Sequence, residues 1–496
     1  MLMSVFWLTA SSFAMRAVSM LFQVYLTDHV GAAGLGLLQL IMTVHGFAIT
    51  LGTSGIRVAA MYLSAEEYGH RRLSGVRAAM VRCISAGLLL SALVGVAMML
   101  GAESLAFHWV KDLRATASLR LLGLTLPVTC LSSILCGYFT ACGKIRRLVL
   151  VEIADRIATV GLTVQLLRFG DAQDLSHACV SIVGGGAIAS LGSSIVLLTM
   201  MWSDLRRCTR TQTPHHMTGR LIRFCVPVAL NDYLRSGLGT LEQFLIPYGL
   251  ARCGGSRTAA LADYGTIHGM VFPVLMFMST VLFSVADLLI PRLARCRATG
   301  NTEKLRQITA RCLRSSCLFS AAVGGLIFVL AEPFGLLLYD SRTAGRYLRL
   351  FAPLLPILYL DCIVDGMHKG LGEQLYCVRI NTLTNLLDVI GLYLLLPRFG
   401  IGGYFFTYTV THVLNFFLSF HRLMQRTGVT PKLSFLLPVV FGVCGTAGLL
   451  HFFSPPKPSW GSTIVCAGLY CIILALLWTL SLNGPQKTVS KKERTA

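Results

Sequence analysis

The chain has 496 residues, of which 54% are hydrophobic and only 13% charged. A water-soluble domain would carry about a quarter charged residues, so a soluble protein is excluded. The net charge of +21 is spread over short segments between apolar runs, a distribution that argues for a membrane protein with affinity for anionic headgroups and against nucleic-acid binding.

Apolar runs of roughly 20 residues, long enough to cross about 30 Å of hydrocarbon as a helix, recur fourteen times. They fall at residues 4–27, 33–54, 83–101, 121–141, 148–167 and 176–202. Six more lie at 224–251, 263–290, 315–332, 350–371, 377–397 and 402–421, and a last pair at 434–453 and 461–482. The expected fold class is therefore all-α: a polytopic membrane protein of about fourteen transmembrane helices. The first run is expected to stay in the membrane, because it is long, carries Arg16 mid-span and has no small-residue cleavage site.

Lys and Arg are retained on the cytoplasmic side of a membrane. With the N-terminus inside, the alternate loops and tail on the cytoplasmic side hold 29 Lys and Arg against 11 on the outer side. Both termini are thus expected in the cytoplasm. The outer loops are all about 20 residues or shorter, too small for a catalytic domain. No Walker A loop, Rossmann fingerprint, HExxH or GxSxG is present, so neither an ATPase nor another enzyme is expected, nor any cofactor or metal. The sixteen cysteines lie mostly inside spans without a CxxC pair, as expected of reduced core thiols.

The first span places Ser12, Arg16, Ser19 and Gln23 on one helical face. In the fifth span Glu152, Asp155, Arg156 and Thr159 are spaced i, i+3, i+4, i+7 and also share a face. Glu152 and Arg156 are one turn apart and could pair with each other. The Gly184-Gly185-Gly186 run of the sixth span permits close helix packing. In the seventh span Asn231, Arg235 and Glu242 repeat the register of the first, so each carries an intramembrane arginine. In the eleventh, Asn381, Thr384, Asn385 and Asp388 stand 229 residues after the four polar positions of the fifth. His45, His268 and His412 are read as satisfied core groups. His368 and Lys369 are expected to snorkel from a span end.

The offset of 229 is general. Gly137 and Gly143 map onto Gly366 and Gly372, Gly34-Leu35-Gly36 onto Asp263-Tyr264-Gly265, and Leu166 to Gly170 onto Leu395 to Gly400 with one inserted proline. A duplicated unit of six spans is even-numbered, so both copies enter the membrane in the same direction, as parallel repeats do. The expected organisation is a six-helix lobe at 1–202, a cytoplasmic linker at 203–223, a second six-helix lobe at 224–425, and two extra helices with a basic tail at 426–496. A charge at mid-bilayer costs about 2.5–3.5 kcal/mol on insertion scales, so matched polar faces should turn toward a central cavity.

The pieces Gly31-Ala32-Ala33-Gly34-Leu35-Gly36, Gly55 before Arg57, Cys136-Gly137-Tyr138-Phe139, Ile290-Pro291 followed by Gly300-Asn301, and Gly370-Leu371-Gly372 together resemble the stage V sporulation protein B branch of polysaccharide and lipid-linked oligosaccharide flippases. That branch shares a superfamily with multidrug-extrusion transporters and lipid II flippases. This chain departs from the branch at Cys136, where Arg is usual, at Thr140-Ala141 in place of Gln-Gly, at Arg57 where Pro is usual, and at Glu242 for Asp. Asp155 stands where the branch tends to have Glu, and Thr159 where it often has Arg.

The resemblance implies an alternating-access flippase of an undecaprenyl-(pyro)phosphate-linked sugar. In that scheme Arg16, Arg156 and Arg235 capture the phosphates, while Gln23, Asn231, Asn381 and Asn385 hydrogen-bond the sugar. Glu152, Asp155, Glu242 and Asp388 either bind a coupling ion, with an ion gradient or membrane potential as the drive, or only balance the charge of the arginines. The lipid II flippases seat the lipid tail on their last two helices, which makes spans thirteen and fourteen the candidates here. The partners implied are a lipid-linked anionic glycan and membrane lipids, with a monomer expected. The alternative is an ion-coupled exporter of organic cations, which predicts an acidic cavity and commonly twelve spans. A glycosyltransferase would need a larger outer loop with catalytic acids, and a scaffold would leave the intramembrane charges without a role.

Overall fold

The structure is a computed structural model that describes residues 2–69, 73–169, 174–206, 217–254, 256–430, 433–452 and 459–483. The central part of the expected linker and the basic tail beyond residue 483 lie outside the described residues, as does the side chain of Ser12.

Every long element is helical. In chain order these are α1 (Leu2–Thr53), α2 (Ile56–Gly69), α3 (Leu73–Leu100), α4 (Thr116–Ala141), α5 (Ile145–Phe169), α6 (Leu175–Arg206) and α7 (Met217–Arg252). The second half continues with α8 (Arg257–Gly265), α9 (Ser279–Ala298), α10 (Thr302–Val329), α11 (Ala331–Tyr339), α12 (Arg342–Phe351), α13 (Leu355–Gly370), α14 (Gln374–Phe399) and α15 (Ile401–Thr427). Two further helices follow, α16 (Leu433–Phe452) and α17 (Trp460–Asn483). The protein is an all-α, multi-pass membrane protein. Among the described residues eight helices are long and apolar enough to cross a bilayer, or nine if a bent pair counts as one.

The first two expected spans form one continuous element, α1, broken at Gly31, whose φ of 67° is open to glycine at little cost. The expected span at 263–290 is likewise not one straight helix. It runs through α8, a π-helical turn at Thr266–Val271 and a short helix Phe272–Leu275, then bends by 58° into α9. Pro273, with no N–H to donate, stands in the first turn of that short helix, ahead of the bend.

The duplication seen in the sequence recurs in the backbone. Lys111 and Asp340, 229 apart, are the two non-glycine residues with positive φ among the described residues, at 55° and 46°. The next residue in each copy caps the following turn: Asp112 accepts from the Arg114 N–H at 3.0 Å and Ser341 from the Ala344 N–H at 3.2 Å. Gly143 and Gly372 share φ values of 68° and 69°. The Lys144 and Glu373 N–H groups after them both reach back five residues, to Phe139 and His368 carbonyls, at 2.9 Å. Gly137 lies against Arg57 and Gly366 against Ala286, again at the common offset.

By its contacts the chain divides into two compact units, Met1–Asp28 with Arg252–Gly254 and Thr266–Ala496, and His29–Ala251 with Gly255–Gly265. The first 28 residues thus belong with the later half of the chain, and α7 with the earlier half. In the second unit a core of Ala59, Leu63, Met80, Ile134, Tyr138 and Phe139 joins α2, α3 and α4. Within the first unit, α17 closes on α10 and α16 through Tyr470, Leu474 and Leu450.

Candidate functional site

Within the first unit, polar groups from α13, α14 and α15 converge inside an apolar bundle. Asp361 and Asp365 sit one turn apart on α13, a helix otherwise buried through Ile363, Val364 and Met367. Asn415 on α15 donates from Nδ2 to Asp361 Oδ2 at 3.2 Å and accepts from the Thr384 hydroxyl of α14 at 3.4 Å. One turn further along α14, Asp388 is 4% exposed and accepts from the Thr411 hydroxyl at 3.0 Å. Two oxygens in this group, Asp361 Oδ1 and Asn381 Oδ1, are buried without a hydrogen-bond partner. Carboxylates, amide carbonyls and hydroxyls make a hard-oxygen set, suited to a small cation or a proton. Among the described residues, no group of three or more His, Cys, Asp or Glu is arranged to hold a metal.

The first half of α1 belongs to the same unit and contributes a cation. Arg16, half-buried, donates from Nη1 to the Thr280 hydroxyl of α9 at 2.9 Å. No carboxylate among the described residues lies within ion-pair distance of it. A guanidinium has five N–H donors, so most of its capacity is open to an anion. Gln23, two turns along, has a buried Nε2 without a partner.

In the second unit the α5 face is more open. Asp155 accepts from the Ser193 hydroxyl of α6 at 2.8 Å. Glu152 and Arg156 are exposed and form no ion pair with each other, which removes the pairing that their spacing left open; Arg57 and Asp155 are the charges within reach of Glu152. On α7, Arg235 is exposed, unlike its half-buried counterpart Arg16. Asn231 and Glu242 are half-buried, as is Asn385 on α14. Nearby, Asp232 accepts from Ser54 at 2.6 Å, and the Tyr233 and Ser236 hydroxyls bond α1.

Of the histidines read as satisfied core groups, His268 and His412 are half-buried and partnered, while His45 is buried but only partly satisfied. His412 stacks on Tyr408 and donates to its carbonyl at 2.9 Å, and His268 Nε2 lies 3.3 Å from the Tyr404 hydroxyl. His45 is buried, with its Nδ1 unpartnered. His368 does not snorkel: it is fully buried and donates from Nε2 to the Ser419 carbonyl at 2.9 Å, because α15 covers the end of α13. All cysteines among the described residues are free thiols.

Sequence reasoning missed Asp361, Asp365 and Asn415, although Asp361 and Asp365 at i, i+4 in a predicted span were a visible signal. It also missed the hydroxyl partners Thr280, Ser193 and Thr411, which are ordinary residues until packing places them.

Residues 1–297 match the polysaccharide biosynthesis protein family. The chain belongs to that family. Residues 264–394 also match the MatE family. Among curated relatives, the chain is 22% identical over 416 residues to stage V sporulation protein B of Bacillus subtilis (strain 168), covering 80% of this chain and 78% of that one. Sporulation protein YkvU of the same organism is 24% identical over 241 residues, covering 46% of this chain and 52% of its own. In fold, this member of the polysaccharide biosynthesis family is similar to the lipid II flippase MurJ in an inward closed conformation. The TM-score is 0.71 at 11% identity, over 95% of this chain and 97% of that one. It is also similar to an inward-facing multidrug resistance MATE transporter of the MOP superfamily, with a TM-score of 0.64 at 16% identity over 84% and 96% of the two chains. The two solved neighbours are a flippase and a transporter.

Proposed function

We propose that this protein is an alternating-access flippase that carries an undecaprenyl-(pyro)phosphate-linked sugar precursor of cell-wall or surface polysaccharide across the bacterial cytoplasmic membrane. The observation that carries the reading is Arg16: a guanidinium inside a membrane span, held by a hydroxyl and not by an acid. Such a group is costly unless an anion completes it, and arginine pairs with phosphate through charge-assisted, often bidentate bonds. Family membership and the fold likeness to a lipid II flippase support the same substrate class.

In this scheme two six-helix repeats, 1–202 and 224–425, alternate around a cavity. They are joined by the cytoplasmic linker 203–223 and followed by the helices and tail of 426–496. Arg235 and Arg156 join Arg16 on the phosphates, and Gln23, Asn231, Asn381 and Asn385 bond the sugar. Asp388, with Asp361 and Asp365, takes the coupling ion, while Glu152, Asp155 and Glu242 balance charge. Both termini lie in the cytoplasm and the protein acts as a monomer. Ion pairs support the topology: Lys144 and Arg147 meet Asp204, and Arg422 and Arg426 meet Glu373, each linking segments assigned to one side.

A second reading, ion-coupled export of organic cations, is favoured by the Asp361, Asp365 and Asp388 carboxyls and by the multidrug-transporter likeness. Proteoliposomes separate the two. Flipping of a fluorescent lipid-pyrophosphate sugar, lost in Arg16→Ala plus Arg235→Ala, is the expected result; cation exchange without flipping would establish the second reading instead.

A further inference from the structure

A cavity of about 760 Å³ opens between α10, α13 and α16. Its walls include Ala321, Gly325 and Phe328 of α10, Pro356 at the start of α13, and Val443 and Gly448 of α16. Small residues on both facing helices, such as Ala321 and Gly448, make the slot, and a Cβ on Gly448 would meet nothing within 4 Å. Arg349 and Pro353 at its rim also line a second cavity of about 690 Å³, whose walls hold Arg342, Arg346 and Glu332.

The charged end is built by α12. Ser341 caps that helix, and its Ala344, Gly345, Leu348 and Phe351 are buried. That burial fixes the opposite face, where Arg342, Arg346 and Arg349 stand at i, i+4, i+7. Glu332 on α11 reaches Arg349 at 3.5 Å. Arg342 and Arg346 are exposed and have no ion pair among the described residues. Three guanidiniums beside one carboxylate leave two positive charges in excess at the end of an apolar slot. The ligand chemistry that answers both parts is an amphiphile with a phosphate head.

We propose that this groove seats an anionic glycerophospholipid, with an acyl chain between α10 and α16 and its phosphate against Arg342, Arg346 and Arg349. Neither cavity is lined by Asp361, Asp365, Asp388 or Asn415, so the seat is separate from the polar cluster. The lipid replaces missing side-chain contacts and fastens α16 to α10, as a structural ligand rather than cargo. Arginine forks bind phosphate oxygens directly, and each basic residue at a membrane surface adds about 1 kcal/mol toward an anionic lipid.

The test uses the full chain in neutral detergent, titrated with phosphatidylglycerol or with phosphatidylcholine of the same chains, read by native mass spectrometry and thermal unfolding. Phosphatidylglycerol is expected to bind and raise the melting temperature, and phosphatidylcholine to do neither. Arg342→Gln with Arg346→Gln should bind phosphatidylglycerol about 30-fold more weakly. Gly448→Leu, whose side chain enters open space, should weaken binding while the lipid-free protein still folds. Glu332→Gln should tighten it. Equal affinity for the two lipids, or arginine variants that bind like the wild type, would overturn the proposal. So would stabilisation by glycerol phosphate alone, or preferential binding of undecaprenyl phosphate, which would assign the groove to the transported lipid. Flipping is measured separately, so its presence or absence does not bear on this result.

Discussion

Gly36 and Gly265 pack backbone to backbone, and they are the same position of the two repeats. A Cβ on Gly36 would overlap the Leu261 carbonyl, and one on Gly265 would overlap the Ala32 carbonyl. Residues 32 and 261 are themselves 229 apart, so the crossing of α1 and α8 is pseudo-symmetric: each helix offers its glycine to the partner's equivalent carbonyl. Close approach of this kind supplies the dispersion contact that drives helix association in lipid.

That geometry leaves no room for a side chain. Gly36→Val or Gly265→Val should destabilise the protein by about 1–3 kcal/mol or more, because the obstacle is backbone. Gly161→Ala, which meets nothing within 4 Å, should be neutral or slightly stabilising. Thermal unfolding of the purified variants in detergent checks both.

Glu373, between α13 and α14, is gripped by Arg422 at 2.7 Å and by Arg426. Desolvation pushes its carboxyl up, but the hydrogen bonds and charges of the two guanidiniums outweigh this and hold it below the usual value of 4.5. A carboxyl with a depressed folded-state pKa stabilises fully above the unfolded value and loses that contribution as pH falls through the folded one. The gap in melting temperature between wild type and Glu373→Gln should therefore be constant near neutrality and close below about pH 4.5. A gap that widens on acidification would refute the assignment.

Arg16 depends on Thr280 for its position. Thr280→Val removes the hydroxyl but keeps the shape, and is expected to lower flipping less than Arg16→Ala does. Loss of the guanidinium should weaken apparent substrate affinity about 10- to 100-fold, the worth of a hydrogen bond to a charged group. Arg16→Lys should recover only part, since a point charge lacks the fork. Equal activity in all three variants would remove Arg16 from the substrate path.

Asp361 and Asp388 should separate coupling from binding. In proteoliposomes carrying an ion gradient, Asp361→Asn and Asp388→Asn are expected to abolish the gradient's effect on flipping while leaving passive binding of the lipid-linked sugar within a few-fold of wild type. Full gradient dependence in both variants would show that these carboxyls serve the fold alone.

Much of this was legible along the chain. Long apolar runs force helices, because a backbone in hydrocarbon must satisfy its own hydrogen bonds, and the repeat at 229 announced paired turns that the backbone then displays at Lys111 and Asp340. The polar face of α14 was legible too, since a helix of known period puts Asn381, Asn385 and Asp388 on one side. Helical period says which side chains share a face but not which neighbour that face meets. Packing alone chose Thr280 for Arg16 and Asn415 for Asp361, left Glu152 and Arg156 unpaired, buried His368 under α15, and bent the span after Gly265. It also grouped the first 28 residues with the later half of the chain. Those outcomes depend on contacts between segments from about fifty to more than two hundred residues apart, where many pairings of apolar surfaces are nearly equal in energy and small residues such as Gly36 and Gly265 decide among them by letting two backbones touch.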